Sequence, residues 1–260
     1  MSDTPIPADL DEALAGLLDM LAAPDPRVRD DQAYSTLVRW IRGGALDTRL
    51  TALGDMLAGR LVHPEIQARA FAPLVLAAIV DRDRETGVLD RAAVHRWRAA
   101  FGDWWLTEDD LRGWDERLGW LHAIAHGADL AGALGTSPRL DAAALAALLD
   151  LIGRRTVTPT AYRYAQMEED RTARALVRIL GRPELTEEGA VRWLIRVDEL
   201  FDGGGPGPLP IPVANTLAVL RALYVMADRH ALPHRTAITD ATAVRLHAAF
   251  DAYPVDRSSP

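Results

Sequence analysis

Apolar positions along the chain recur with helical spacing from end to end. Leu10, Leu14, Leu17, Leu18 and Leu21 form one stripe, which predicts a helix over residues 8–22. Asp25-Pro26 then reads as a cap with proline in the first turn, and the second helix runs to about Arg42, ending at Gly43-Gly44. A third helix follows Asp47 to about Leu61. His63-Pro64 breaks the chain before a fourth, Glu65 to Val80, in which Pro73 should mark a kink or the first turn. Residues 81–87 read as a charged loop, and Asp90 caps a helix holding His95, Trp97, Phe101, Trp104 and Trp105.

Thr107 with Glu108, Asp109 and Asp110 resembles a helix opening. A central helix is expected from near Gly113 to about Gly135. Asp141 caps a further helix. Another follows residues 156–159 and runs to Leu180, and one from Thr186 runs to Phe201. Residues 202–212, DGGGPGPLPIP, exclude regular structure. Two last helices fall near 213–230 and 240–253, with a frayed tail from Pro254. No alternating pattern suggests a strand. The expected fold class is all-α, a curved array of antiparallel helical hairpins resembling HEAT-type repeats, with a compact orthogonal bundle as the alternative. The expected organisation is a helical-array domain over 1–201, a Gly/Pro linker over 202–212 and a helical pair over 213–260 docked on the array, since two helices alone bury little.

The stretch 112–129, RGWDERLGWLHAIAHGAD, concentrates the candidate chemistry. On a helix, His126 would lie about 40° round from His122 and Asp129 about 20° the other way, so the three share a face. Two histidines four apart can hold one divalent metal, and a carboxylate three further on can complete the set or orient an imidazole. Asp30, Asp31, Glu169 or Asp170 would add ligands from other helices. The competing reading is structural: Ala123 stands where a metalloprotease glutamate would be, and histidines often bond across helix interfaces. Metal-free acid–base chemistry is the third reading, with His122, His126, Asp129 and Asp30 as the catalytic candidates. Asp30 and Tyr34 share a helix face by their spacing, although Asp near a helix start also serves the macrodipole.

Trp97, Trp104, Trp105, Trp114 and Trp120 cluster in mid-chain. Most such residues are core, and Trp114 and Trp120 are the expected pocket walls because they flank the histidines.

Composition narrows the chemistry. The 260 residues carry a net charge of −8, which disfavours nucleic acid and anionic membranes as partners. No apolar run approaches the roughly 18–20 residues of a membrane span, and the acidic start lacks a signal peptide's pattern, so a cytoplasmic home is expected. Cysteine is absent, which removes thiolate chemistry and disulfides. Lysine is absent too, so neither a Schiff base nor a phosphate-loop lysine can form. The all-arginine usage fits a GC-rich genome, which also favours Ala, Gly and Pro, with the special chemistry of arginine as the alternative.

Three segments carry a family resemblance: RDDQAYSTLVRWI (29–41); RGW with GWLHAIAHGADL (112–130) and the SPRLD that ends at Asp141; and EEDRTARAL (168–176). Together they resemble a bacterial family catalogued as domain of unknown function 2785, over roughly residues 10–200. RAFAPLVLAAI (69–79) is a weaker match, in which Ala70 and Pro73 depart from the family's Arg-Ser-Phe pattern. The resemblance implies an all-helical fold like the HEAT-type arrays and no established activity. It favours Asp170 and Arg171 pointing inward. Arg171, like Arg69 and Arg112, is a candidate to clamp a carboxylate or phosphate, whereas Arg112 has the alternative of tying the loop before Gly113.

The functional expectation is a binding protein for a small molecule or peptide, with a central pocket lined by polar and aromatic side chains. The alternative is an enzyme using the same His/Asp pocket, with or without a divalent metal.

Overall fold

Acidic and hydroxyl side chains cap four of the helices, whereas the segment after Asp25-Pro26 starts on Pro26 without a side-chain cap. In the computed structural model, which describes residues 7 and 9–254, Asp9 accepts from Glu12 N to open α1 (Leu10–Met20). Asp90 does the same for α5 (Arg91–Thr107), Asp141 for α7 (Ala142–Val157) and Thr186 for α9 (Glu187–Val191). Each side chain satisfies one of the amides that a helix start leaves bare. The remaining helices are α2 (Ser35–Arg42), α3 (Leu50–Gly59), α4 (Ile66–Thr86), α6 (Ala123–Thr136), α8 (Glu168–Leu180), α10 (Ile195–Phe201), α11 (Ile211–Arg229) and α12 (Arg235–Ala252). The protein is therefore predominantly helical. Ala8, the residues before Pro7 and the tail 255–260 lie outside the described residues.

The chain divides into two compact units, Met1–Arg139 and Leu140–Pro260. In the first, α3 packs on α4 and α5, and α4 and α5 both pack on α6. Small residues set the α4–α6 approach: Ala70, Ala77, Ala128 and Gly132 are all buried. A Cβ on Gly127 would lie 2.2 Å from Trp105 Nε1, so the indole fills the space that a larger residue would occupy. In the second unit α11 packs against α7, α8 and α12. By length and composition α11 is apolar enough to cross a membrane. It nevertheless carries buried Asn215 and Thr216, and Asn215 bonds the backbone of Tyr162 and Tyr164.

Several local expectations are overturned, among them the helix opening at Thr107, which is instead the last residue of α5. The central segment is not helical from Gly113: two short strands, β1 (Trp114–Asp115) and β2 (Gly119–Trp120), pair antiparallel there, and α6 begins at Ala123. They are the only strands among the described residues. The charged stretch 81–86 continues α4, because buried Asp83 receives Arg139 at 2.9 Å and Arg82 binds Asp47 at 2.8 Å. Residues 27–34 wind as a π-helix rather than an α-helix. Finally, 158–167 is not helical, and α8 starts only at Glu168.

Candidate functional site

The site is built on Arg29, a fully buried side chain. Its guanidinium donates to the carbonyls of Leu118 (2.8 Å) and Trp120 (3.2 Å), and to Asp30 Oδ1 at 2.7 Å. It also lies over the Phe71 ring at 4.7 Å. A planar fork can serve several acceptors in different directions, which a lysine ammonium on a flexible stem does less well. Arg29 thereby ties the hairpin β1–β2 to the π-helical segment and to α4. On an α-helix Arg29 and Tyr34 would point about 140° apart. The wider winding of 27–34 brings both onto Phe71, with Tyr34 edge-on at 6.0 Å. Such π segments recur at functional positions.

From Phe71 a continuous run of rings leads outward. His126 meets Phe71 edge-on at 5.1 Å and His122 at 5.4 Å. His122 stacks on Trp120 at 4.5 Å with an interplanar angle of 6°, and Trp120 meets Trp114 edge-on at 4.7 Å. The run ends at the surface, where Trp114 and Trp120 are 47% and 41% exposed. His122 does not lie on the helix with His126. It is the N-cap residue of α6, in the left-handed region at φ 53°, ψ 37°, a conformation that costs a non-glycine residue about 1–2 kcal/mol. Its amide donates to Arg112 O and its carbonyl accepts from His126 N.

His126 is buried, with Nδ1 2.9 Å from the Ala70 carbonyl. A carbonyl only accepts, so Nδ1 carries a proton in this contact. That is the interface role the structural reading expected. Asp129 sits three residues further along α6, partly buried. Because His122 precedes the helix, the helical spacing that would put it on one face with His126 and Asp129 does not apply to it. Among the described residues no group of three or more His, Asp or Glu could hold a metal ion.

Two of the three arginines expected to grip a ligand, Arg69 and Arg112, hold the protein's own acids. Arg69 makes a bidentate pair with Glu108 (2.7 and 3.0 Å) and also donates to the carbonyls of His63 and Pro64. Arg112 binds Asp110 at 2.6 Å and also Asp115, which ties the loop before Gly113. Burial on its own would raise the Glu108 carboxyl. The bonds from Arg69, the Trp104 indole and the Asp110 amide outweigh it and hold the acid below its ordinary value. Asp30 shifts the other way: its burial outweighs the bond from Arg29 and raises it.

A lowered acid contributes stability above its unfolded value and loses it as pH falls. Glu108→Gln should therefore cost roughly 2–3 kcal/mol at neutral pH. The difference from wild type should shrink below about pH 4.5, the ordinary glutamate value. Urea melts from pH 7 to pH 3 read this directly. Asp30 contributes with the opposite slope, its share being fully present below its ordinary value of 3.8 and lost as pH rises through the raised one.

The first unit thus brings together Asp30, Tyr34, Trp114, Trp120, His122 and His126, with Arg69 and Arg112 engaged as described. Asp170 and Arg171 lie on α8, in the second unit. Phe71, Arg29 and Glu108 are the residues that sequence reasoning left out of the site. Arg29 opens the motif 29–41, beside the acids Asp30 and Asp31. In the second unit the buried acid is Glu168 rather than Asp170. It accepts from Tyr162 Oη (2.9 Å), Ala165 N (3.0 Å) and Gln166 N (2.8 Å). Nearby, burial pushes the Tyr164 phenol up to about 12.

A family model described as protein of unknown function (DUF2785) matches residues 60–225, more than half of the chain. No curated protein and no solved structure matches it.

Proposed function

The chain belongs to the DUF2785 family, and on that footing we propose that it is a binding protein for a small molecule or peptide, with the Trp114–Trp120 hairpin as its recognition surface. One observation carries this reading. Two tryptophans stand nearly half exposed on a hairpin that fully buried Arg29 holds in place, with His122 stacked behind Trp120. Exposed indoles give up burial that a core would reward. Aromatic side chains held rigid lose little entropy when a ligand stacks on them.

The test is a ligand-observed NMR screen of aromatic and cationic fragments against wild type and Trp120→Ala. Fragments that bind wild type should weaken about tenfold or more in the variant, as expected for a central aromatic anchor. Equal binding by both proteins, with unchanged thermal stability, would remove the hairpin from recognition.

A second reading, acid–base chemistry in the same place, is favoured by the raised Asp30 carboxyl. It expects Asp30→Asn to lose turnover of a bound fragment while keeping its affinity.

The HEAT-type arrangement belongs to the same proposal. Its support is that helices of the first unit pack on the next but one, α2 on α4, α3 on α5 and α4 on α6. Cytoplasmic residence is likewise part of it, supported by the buried polar residues of α11, which suit a core helix better than a membrane span.

A further inference from the structure

The Gly/Pro stretch that reads as a linker is packed against the end of α12. A Cβ on Gly204 would lie 2.3 Å from the Ala252 carbonyl, so only glycine lets the loop approach so closely. Gly207, at φ 133°, takes a conformation that L-residues rarely adopt. The loop thereby carries Leu209 to the mouth of a cavity of about 460 Å³ between α11 and α12. Leu217, Leu246, Phe250 and Tyr253 are among the residues of its apolar wall. That volume lies within the range of small-molecule sites, roughly 300–1,000 Å³. Tyr253 is fixed in the wall, its hydroxyl donating to Leu200 O at 3.3 Å and its ring edge-on to Phe201 at 6.2 Å. Phe250, by contrast, is 73% exposed and Leu209 44%.

One cation lines this cavity, Arg221. Arg182, Arg196 and Arg245 of the same unit each hold a carboxylate. Among the described residues none pairs with Arg221. An apolar slot with one uncommitted guanidinium at its edge matches one kind of ligand. We propose that this cavity binds an amphipathic monocarboxylate, its apolar chain against Leu217, Leu246 and Phe250 and its carboxylate on Arg221. The fork of Arg221 can take both carboxylate oxygens, whereas a neutral head group would forfeit the charge-assisted bonds. This site is independent of the hairpin surface, being built wholly from the second unit.

The test is calorimetric titration of the full chain with decanoate, and with decanol as the neutral control. Decanoate should bind saturably below about 1 mM, as expected for a ligand of this size. Decanol should bind about tenfold more weakly. Arg221→Gln should weaken decanoate about tenfold and leave decanol unchanged, and Arg221→Lys should restore part of the loss. Arg221 is exposed, so these variants should fold as wild type does. Trp120→Ala should leave decanoate binding intact, which separates failure here from failure of the hairpin reading. Several results would overturn the proposal: equal affinity for decanoate in wild type and Arg221→Gln, decanol binding as well as decanoate, or no saturable binding. Self-association of the ligand-free chain that Phe250→Ser abolishes would also overturn it, because a second copy would then be the occupant.

Discussion

Arg29→Met should destabilise the first unit by about 3–5 kcal/mol, the usual cost of removing one partner from a buried charged network. Methionine can fill part of the volume but offers no donor. The carbonyls of Leu118 and Trp120 would then lose the guanidinium that satisfies them, and Asp30 would lose its counter-charge. The cation over Phe71 would go as well. Carbonyls left buried without a donor are costly, so the hairpin should undock to reach water. Two readouts follow. Urea unfolding should show the loss of stability. The fluorescence of Trp114 and Trp120 should shift to that of fully solvated indole already in the folded variant. Arg29→Lys should recover only part of the loss, because an ammonium does not span the same acceptors. A variant with wild-type stability and unshifted emission would show that the hairpin holds itself in place.

Glu168→Leu should cost the second unit a similar amount, roughly 3–5 kcal/mol, by leaving three donors without their acceptor. The side chain is fully buried and gathers the Tyr162 hydroxyl and the amides of Ala165 and Gln166. These bonds hold 158–167 in its non-helical path and deliver the chain into α8 through Met167, which sits in the left-handed region at φ 64°. Glu168→Gln keeps one acceptor oxygen and turns the other into a donor facing donors. It should cost about half as much. Amide hydrogen exchange at Ala165 and Gln166 should speed up in both variants. A drop in global stability with unchanged exchange at those two amides would place the role of Glu168 elsewhere.

Most helix positions were legible because their causes are local. A cap acts over three residues and an apolar stripe over a few turns, so Asp90, Asp141 and Thr186 open helices where the residue pattern says they should. The site was legible as a set of names and not as a geometry. Tyr34, Trp114, Trp120, His122 and His126 do lie along one run of contacting rings. A hairpin replaces the first part of the helix expected from Gly113, so His122 lies ahead of α6 rather than on it. Phe71, the centre of the run, looks like any core residue of an apolar helix. In the motif 168–171 the buried, bonded acid is Glu168, the first of the four, and nothing in the local pattern separates it from Asp170.

The residues by themselves determined a helical protein, most of its helix boundaries, its freedom from cysteine and lysine chemistry, and the segments in which unusual side chains gather. Only the tertiary structure decided what those side chains do. Arg29 and the carbonyls it holds are some 90 positions apart in the chain, and Arg69 and Glu108 are 39 apart. Periodicity and capping carry no information over such separations. A charged residue therefore reads as a solvated face until the fold supplies a partner close enough, and dry enough, to make it an anchor.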